Sequence, residues 1–145
     1  MKSIKTYIPN TITCLNLLCG SLAIVLAFHD GMTFGPLVAR QWAWVLIGAA
    51  AVFDFCDGLS ARALGAYSSM GKELDSLSDL VSFGLAPAFL VMNAYVAAGA
   101  SMWLSLVGLM IGLCGALRLA KFNVDTRQTT SFIGLPIPAN AIFWV

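Results

Sequence analysis

Charged residues are so sparse in this chain that they act as punctuation between apolar intervals. Residues 6–28 carry no charge, and a helix over them rises about 35 Å, enough to cross a hydrocarbon core of about 30 Å. The next charge-free interval, 41–53, rises only about 20 Å. A second crossing must therefore run on through Asp54 and Asp57. If it starts near Trp42 and Trp44, whose rings suit a membrane interface, it leaves the membrane near Arg62 with Asp54 well inside. Residues 80–117 form a third interval, of 38 residues, which would rise about 57 Å as one helix and so must break once. The cluster Ala97-Ala98-Gly99-Ala100-Ser101 is the turn. This predicts a third helix from about Leu74 to Val96 and a fourth from about Met102 to Phe122. After the polar stretch Gln128-Thr129-Thr130-Ser131 and the prolines Pro136 and Pro138, the apolar run to Val145 reads as the start of a fifth helix. It has about ten residues where a crossing needs about 20. The expectation is one transmembrane domain over 1–145, truncated at its C-terminus and continued by at least one further hydrophobic helix.

Composition supports the same class. Of 145 residues, 59% are apolar and 10% charged, with mean hydropathy +0.86, whereas soluble domains carry about 25% charged residues. A soluble domain and a disordered acidic chain are excluded. With 8 basic residues against 7 acidic ones, no nucleic-acid partner is expected; the partner is the lipid bilayer. Lys2 and Lys5 before an apolar run resemble the start of a signal peptide. However, the run is long enough to span and ends at Phe28-His29-Asp30 without a small-residue cleavage site, so it reads as an uncleaved helix. Lys2, Lys5, Arg62, Lys72, Arg118, Lys121 and Arg127 fall on one side of this topology, and Arg40 alone falls on the other. The positive-inside rule then puts the N-terminus and the 62–74 loop in the cytoplasm of a cell or inner membrane. Cys14, Cys19, Cys56 and Cys114 form no C-x-x-C pair and read as small apolar residues.

The chemistry lies between residues 54 and 79. On a helix, Asp54, Asp57, Gly58, Ala61 and Arg62 share one face, and Gly71, Asp75 and Asp79, spaced four apart, share another. Two antiparallel helices joined by a loop containing Gly65, Ser68, Ser69 and Gly71 turn these stripes toward each other. Four carboxylates then converge near the cytoplasmic membrane boundary. A carboxylate at the centre of a membrane helix costs on the order of 3 kcal/mol on the mildest scale, and ionisable groups there are usually functional. Oxygen-only ligands suit Mg²⁺ or Mn²⁺, and two such ions cancel four negative charges. Arg62 and Lys72 are then left to balance an incoming pyrophosphate, while Gly58, Ala61 and Gly71 leave room for it. The charge count points to metal-assisted phosphoryl transfer at the membrane surface. A structural hairpin with interfacial charges is the bland alternative. A carboxylate-lined cation transporter is the rival of another class, although it has no need of Arg62.

The string D-x-x-D-G-x-x-A-R-x8-G-x-x-x-D-x-x-x-D, filled from Asp54 to Asp79 without a mismatch, resembles the signature of the CDP-alcohol phosphatidyltransferase family. Three further stretches resemble the branch of that family that uses serine. They are Ile8-Pro9-Asn10-Thr11-Ile12-Thr13 with Asn16, then Ser82-Phe83-Gly84-Leu85-Ala86-Pro87, then Arg118-Leu119-Ala120-Lys121-Phe122-Asn123 followed by Gly134-Leu135-Pro136-Ile137-Pro138. Pro9 as a helix start, Gly84 and Pro87 as a packing kink, and Arg118 and Lys121 as positive-inside anchors are equally open readings.

The resemblance implies an all-α membrane enzyme, a homodimer of multi-helix transmembrane bundles with the active site on the cytoplasmic side. Its reaction would join CDP-diacylglycerol and L-serine to give phosphatidylserine and CMP, with glycerol phosphate or inositol phosphate as alternative acceptors. It implies two divalent cations on Asp54, Asp57, Asp75 and Asp79, with Asp79 also the general base. Gly58, Ala61, Arg62 and Gly71, joined by Lys72, fall on the CDP-lipid side. Serine brings a carboxylate and an ammonium, so its pocket needs a fixed cation. Arg118 is the first choice, with Lys121 one turn on, and Ser82, three residues past Asp79, is a candidate to face the nucleophile.

Overall fold

The structure, a computed structural model, describes residues 2–124. Helix α1 spans Lys2–Ala27 and α2 spans Ala39–Leu64. A third crossing over residues 69–97 consists of α3 (Ser69–Asp79), a π turn (Leu80–Leu85) and α4 (Ala86–Ala97). The fourth is α5 (Met102–Ser105), a 3₁₀ turn (Leu106–Gly108) and α6 (Leu109–Val124). All four crossings are long and apolar enough to span a membrane, and the chain is an integral membrane protein. The expected fifth helix and Arg127 lie outside the described residues.

Each boundary has a local cause. Gly65 ends α2 at φ +58°, a left-handed cap that costs a glycine nothing. Three residues later Ser68 caps α3, its hydroxyl accepting from the Gly71 N–H at 2.9 Å. The third crossing thus starts about a turn earlier than apolar periodicity predicts. Capping chemistry, and not hydropathy, sets its start. The turn before α5 falls at Gly99, φ +81°, and Ser101 caps the helix that follows. Between α1 and α2 lies a feature that periodicity did not predict, an antiparallel pair of two-residue strands, Thr33–Phe34 and Leu37–Val38. Trp42 ties it to α2 by donating to the Phe34 carbonyl at 2.8 Å.

Small residues set the packing. The core is Ala23, Ala27, Ala43, Ile47, Ala50, Phe83, Ala86 and Leu90. Such a set lets helix backbones approach closely where lipid supplies no hydrophobic drive. Helix α1 lies against both α2 and the third crossing. It runs parallel to the latter in a register marked by hydrogen bonds from Ser78 to the Thr13 carbonyl, Ser82 to the Asn16 carbonyl and Asn93 to the Ala27 carbonyl. Between these bonds the two helices nearly touch. A Cβ on Gly20 would fall 2.6 Å from Ser82 Cα and collide with its hydroxyl.

This crossing generates a stability prediction. Gly20→Ala forces backbone apart and should destabilise by about 1–3 kcal/mol, the usual cost of overpacking. Gly48→Ala, whose Cβ meets nothing within 4 Å, should not. Unfolding of the two variants in detergent, compared with the parent, measures the difference.

Candidate metal and phosphate site

The stripes of α2 and α3 face each other as expected, although the two backbones make few close approaches. Their main direct approach is through the π turn, and α1 is packed against both. The backbones stay apart while the side chains converge. Asp54, Asp57 and Asp75 each bring an oxygen within 4.8 Å of the other two. Asp54 is also within hydrogen-bonding reach of Asp79. Three of the four expected carboxylates therefore meet, and Asp79 lies outside this group, beside Asp54.

Four carboxylates in contact repel unless a proton or cation lies among them. One oxygen of Asp75 is buried without any partner among the described residues. A hard divalent cation is bound by such an all-oxygen set, so these residues fit the ions that the motif implies. The stripe on α2 also continues as predicted. Gly58 is open, with nothing within 4 Å of a Cβ placed there, which leaves backbone for a ligand to approach. Ala61 is half-buried one turn further on, and Arg62 is exposed in the last turn. Gly71 has a different surrounding. A Cβ there would meet the Ser68 hydroxyl at 2.9 Å and Asn10 Oδ1 at 3.0 Å. Its bareness accommodates the α3 cap and the neighbouring α1 side chain. Lys72 is exposed beside it.

On the fourth crossing, Arg118 is half-buried and Lys121 exposed. The end of this helix is tied to α3 by Asn123, which donates to the Ser76 hydroxyl at 2.9 Å, one residue from Asp75. The only ion pair among the described residues is Arg40 with Asp30 at 3.5 Å. Arg62, Lys72, Arg118 and Lys121 are thus unpaired with any described carboxylate. Ser82 is fully buried, and its hydroxyl proton goes to the Asn16 carbonyl at 3.0 Å. It serves helix packing in this structure.

Two residues of α1 also reach the aspartates. The Thr13 hydroxyl donates to Asp57 Oδ2 at 2.5 Å, and Asn16 Nδ2 donates to Asp79 Oδ1 at 3.4 Å. A signal for them existed. Asn10, Thr13 and Asn16 recur every three residues in a charge-free span, and polar side chains inside membrane helices usually face a partner in the bundle.

The sequence model of the CDP-alcohol phosphatidyltransferase family matches residues 6–145. CDP-diacylglycerol--serine O-phosphatidyltransferase of Bacillus subtilis is 41% identical over 137 residues, covering 91% of this chain and 70% of the relative. The protein of the same description from Methanocaldococcus jannaschii is 41% identical over 139 residues, covering 95% and 58%. Archaetidylserine synthase of Methanothermobacter thermautotrophicus is 42% identical over 146 residues, covering 97% and 58%. The chain therefore spans between 58% and 70% of the length of these relatives.

The convergence predicts metal affinity in the resting protein. Loss of an outer partner of a metal ligand already costs about 10–100-fold in affinity. Asp54→Asn, Asp57→Asn and Asp75→Asn should therefore each weaken Mn²⁺ binding by at least about tenfold. Asp30→Asn, outside the cluster, should leave it unchanged. Electron paramagnetic resonance of free Mn²⁺ in titrations of detergent-solubilised protein reads the affinities directly.

Proposed function

Because this chain belongs to the CDP-alcohol phosphatidyltransferase family, we propose that it transfers the phosphatidyl group of CDP-diacylglycerol to the hydroxyl of L-serine, giving phosphatidylserine and CMP. The observation that carries this reading is the approach of three carboxylates within 4.8 Å of one another, at the membrane end where Arg62, Lys72 and the C-terminus of α6 also lie. The relatives' descriptions support serine in particular, since they share a serine product while the lipid differs.

In this proposal, Asp54, Asp57, Asp75 and Asp79 hold two divalent ions, Mg²⁺ or Mn²⁺, which neutralise charge on the pyrophosphate and on the departing phosphate. Arg62 and Lys72 hold the pyrophosphate from the aqueous side. Gly58 and Ala61 let the nucleotide approach the α2 backbone, and Gly71 shapes the start of α3 opposite. Asp79 accepts the proton of the serine hydroxyl as that oxygen bonds to the phosphorus carrying diacylglycerol. The bond from that phosphorus to the bridging oxygen breaks, and CMP leaves with the electron pair. Arg118 presents a planar fork of donors to the serine carboxylate. Its half-buried position on a helix anchored beside Asp75 supports it over the exposed Lys121. The excess of basic residues at this end supports a cytoplasmic active site and N-terminus. The family resemblance supports a homodimer.

CMP release by purified protein given CDP-diacylglycerol and a divalent ion tests the reading. Release should depend on serine and stay at background with glycerol phosphate or inositol phosphate. Release with one of those acceptors instead would reassign the substrate, and cation flux without CMP release would favour a carrier. Asp79→Asn should lower kcat by about 10²–10⁴-fold, the range for loss of a general base.

Arg118→Ala should raise the KM for serine and lower turnover while preserving CDP-lipid affinity, with Arg118→Lys recovering little and Lys121→Ala remaining mild. Unchanged serine affinity in Arg118→Ala would make this residue an anchor and remove it from the pocket.

A further inference from the structure

Thr13 and Asn16 lie one helical turn apart on α1 and are almost wholly buried, 3% and 0% exposed. Each makes two contacts of different kinds. Its backbone carbonyl accepts from a serine of the third crossing, Ser78 or Ser82. Its side chain donates to an aspartate, on α2 for Thr13 and on α3 for Asn16. The carbonyl contacts suffice to register the helices. The side-chain contacts need another explanation.

The Thr13 hydroxyl has two acceptors in range, the Pro9 carbonyl at 3.0 Å and Asp57 at 2.5 Å. The Asp57 oxygen is the nearer acceptor, so the single hydroxyl proton is directed to it in preference to the carbonyl. At Asn16 the amide nitrogen faces Asp79, and Oδ1 is left buried without a partner among the described residues. An unpaired buried carbonyl costs stability, and an apolar side chain would avoid that cost. Packing alone does not account for an asparagine at this position.

The two aspartates also differ. Asp57 is one of the three whose oxygens converge on a common point, while Asp79 meets that group through Asp54. We propose that α1 carries two positioning residues with separable effects, Thr13 fixing Asp57 for divalent-ion binding and Asn16 fixing Asp79 for the acceptor step. The second half rests on the reading of Asp79 as the base for the acceptor hydroxyl. The first half does not.

The test uses the full protein in detergent, with Mn²⁺ binding followed by paramagnetic resonance and serine-dependent CMP release followed separately. Thr13→Val should weaken Mn²⁺ binding about 10–100-fold, as expected for loss of a bond to a metal ligand, and Thr13→Ser should restore it. Asn16→Leu acts on a carboxylate outside the tight group of three, so it should weaken Mn²⁺ binding less than about tenfold, while at saturating Mn²⁺ kcat falls about 10–100-fold and CDP-lipid affinity is preserved. Ser78→Ala removes the bond to the Thr13 carbonyl and leaves its hydroxyl in place. It should lower thermal stability without shifting Mn²⁺ affinity.

If Ser78→Ala reproduces the Mn²⁺ effect of Thr13→Val, Thr13 acts through helix packing and its positioning role is overturned. If Asn16→Leu weakens Mn²⁺ as Thr13→Val does, or leaves kcat unchanged, the division of roles is wrong. Should Thr13→Val fail to fold, Thr13→Ala, which adds no bulk, carries the same comparison. A parent protein that binds Mn²⁺ but releases no CMP with serine overturns the functional reading, while the Thr13 arm still decides the first half.

Discussion

Four carboxylates inside an apolar slab form the constraint around which the rest of this structure is arranged. Lipid offers them neither water nor counter-ions, and each ionised group there carries a penalty of several kcal/mol unless something nearby stabilises it. Asp54, Asp57 and Asp75 are therefore gathered at one place, with Asp79 beside Asp54, where a divalent cation would relieve both the desolvation and the repulsion. Arg62 on α2 and Lys72 on α3 lie further along the same two helices and are exposed. The same electrostatic problem that would expel the aspartates from a structural helix makes their meeting point attractive to divalent ions and to a pyrophosphate.

Gathering the carboxyl groups requires that the helices bearing them be held at a defined separation, and α1 supplies this. It packs against both, with Thr13 on Asp57 and Asn16 on Asp79. Its own backbone is registered by Ser78 and Ser82, and Gly20 lets it reach the backbone of Ser82. The π turn at Leu80–Leu85 begins directly after Asp79. Such turns arise where a helix departs from its regular spacing and are frequent at functional sites. Here it precedes Pro87, which has no N–H to give to the preceding turn. On the far side of this crossing Gly84 and Gly112 nearly meet, as do Gly108 and the Ala88–Met92 turn. The fourth crossing can then lie close enough for Asn123 to reach Ser76.

Much of this was legible in the sequence, for reasons that vary by feature. Helix number and placement follow from hydropathy and length, because a membrane span must satisfy all its backbone hydrogen bonds internally and must cross a fixed thickness. The turn at Gly99 and the exit of α2 near Arg62 follow from the same arithmetic. The aspartates were legible because charge inside an apolar interval is costly and their three- and four-residue spacings place them on common faces. The start of the third crossing and the short strand pair before α2 do not follow from hydropathy. They depend on local capping and turn chemistry at Ser68 and around Gly35, which apolar periodicity does not report.

By itself the sequence determined a bundle of membrane-crossing helices, a carboxylate stripe on two of them and an excess of basic residues at the same end. These are properties of single helices and of their distance along the chain. Tertiary structure alone decided which helix packs against both stripe-bearing helices, that Thr13 and Asn16 touch the aspartates, and that the Ser82 hydroxyl donates to the α1 backbone. Those outcomes depend on how helices far apart in sequence are rotated and registered against each other. That rotation is set by close contacts at Gly20, Gly84 and Gly112, and no periodicity within one helix encodes it.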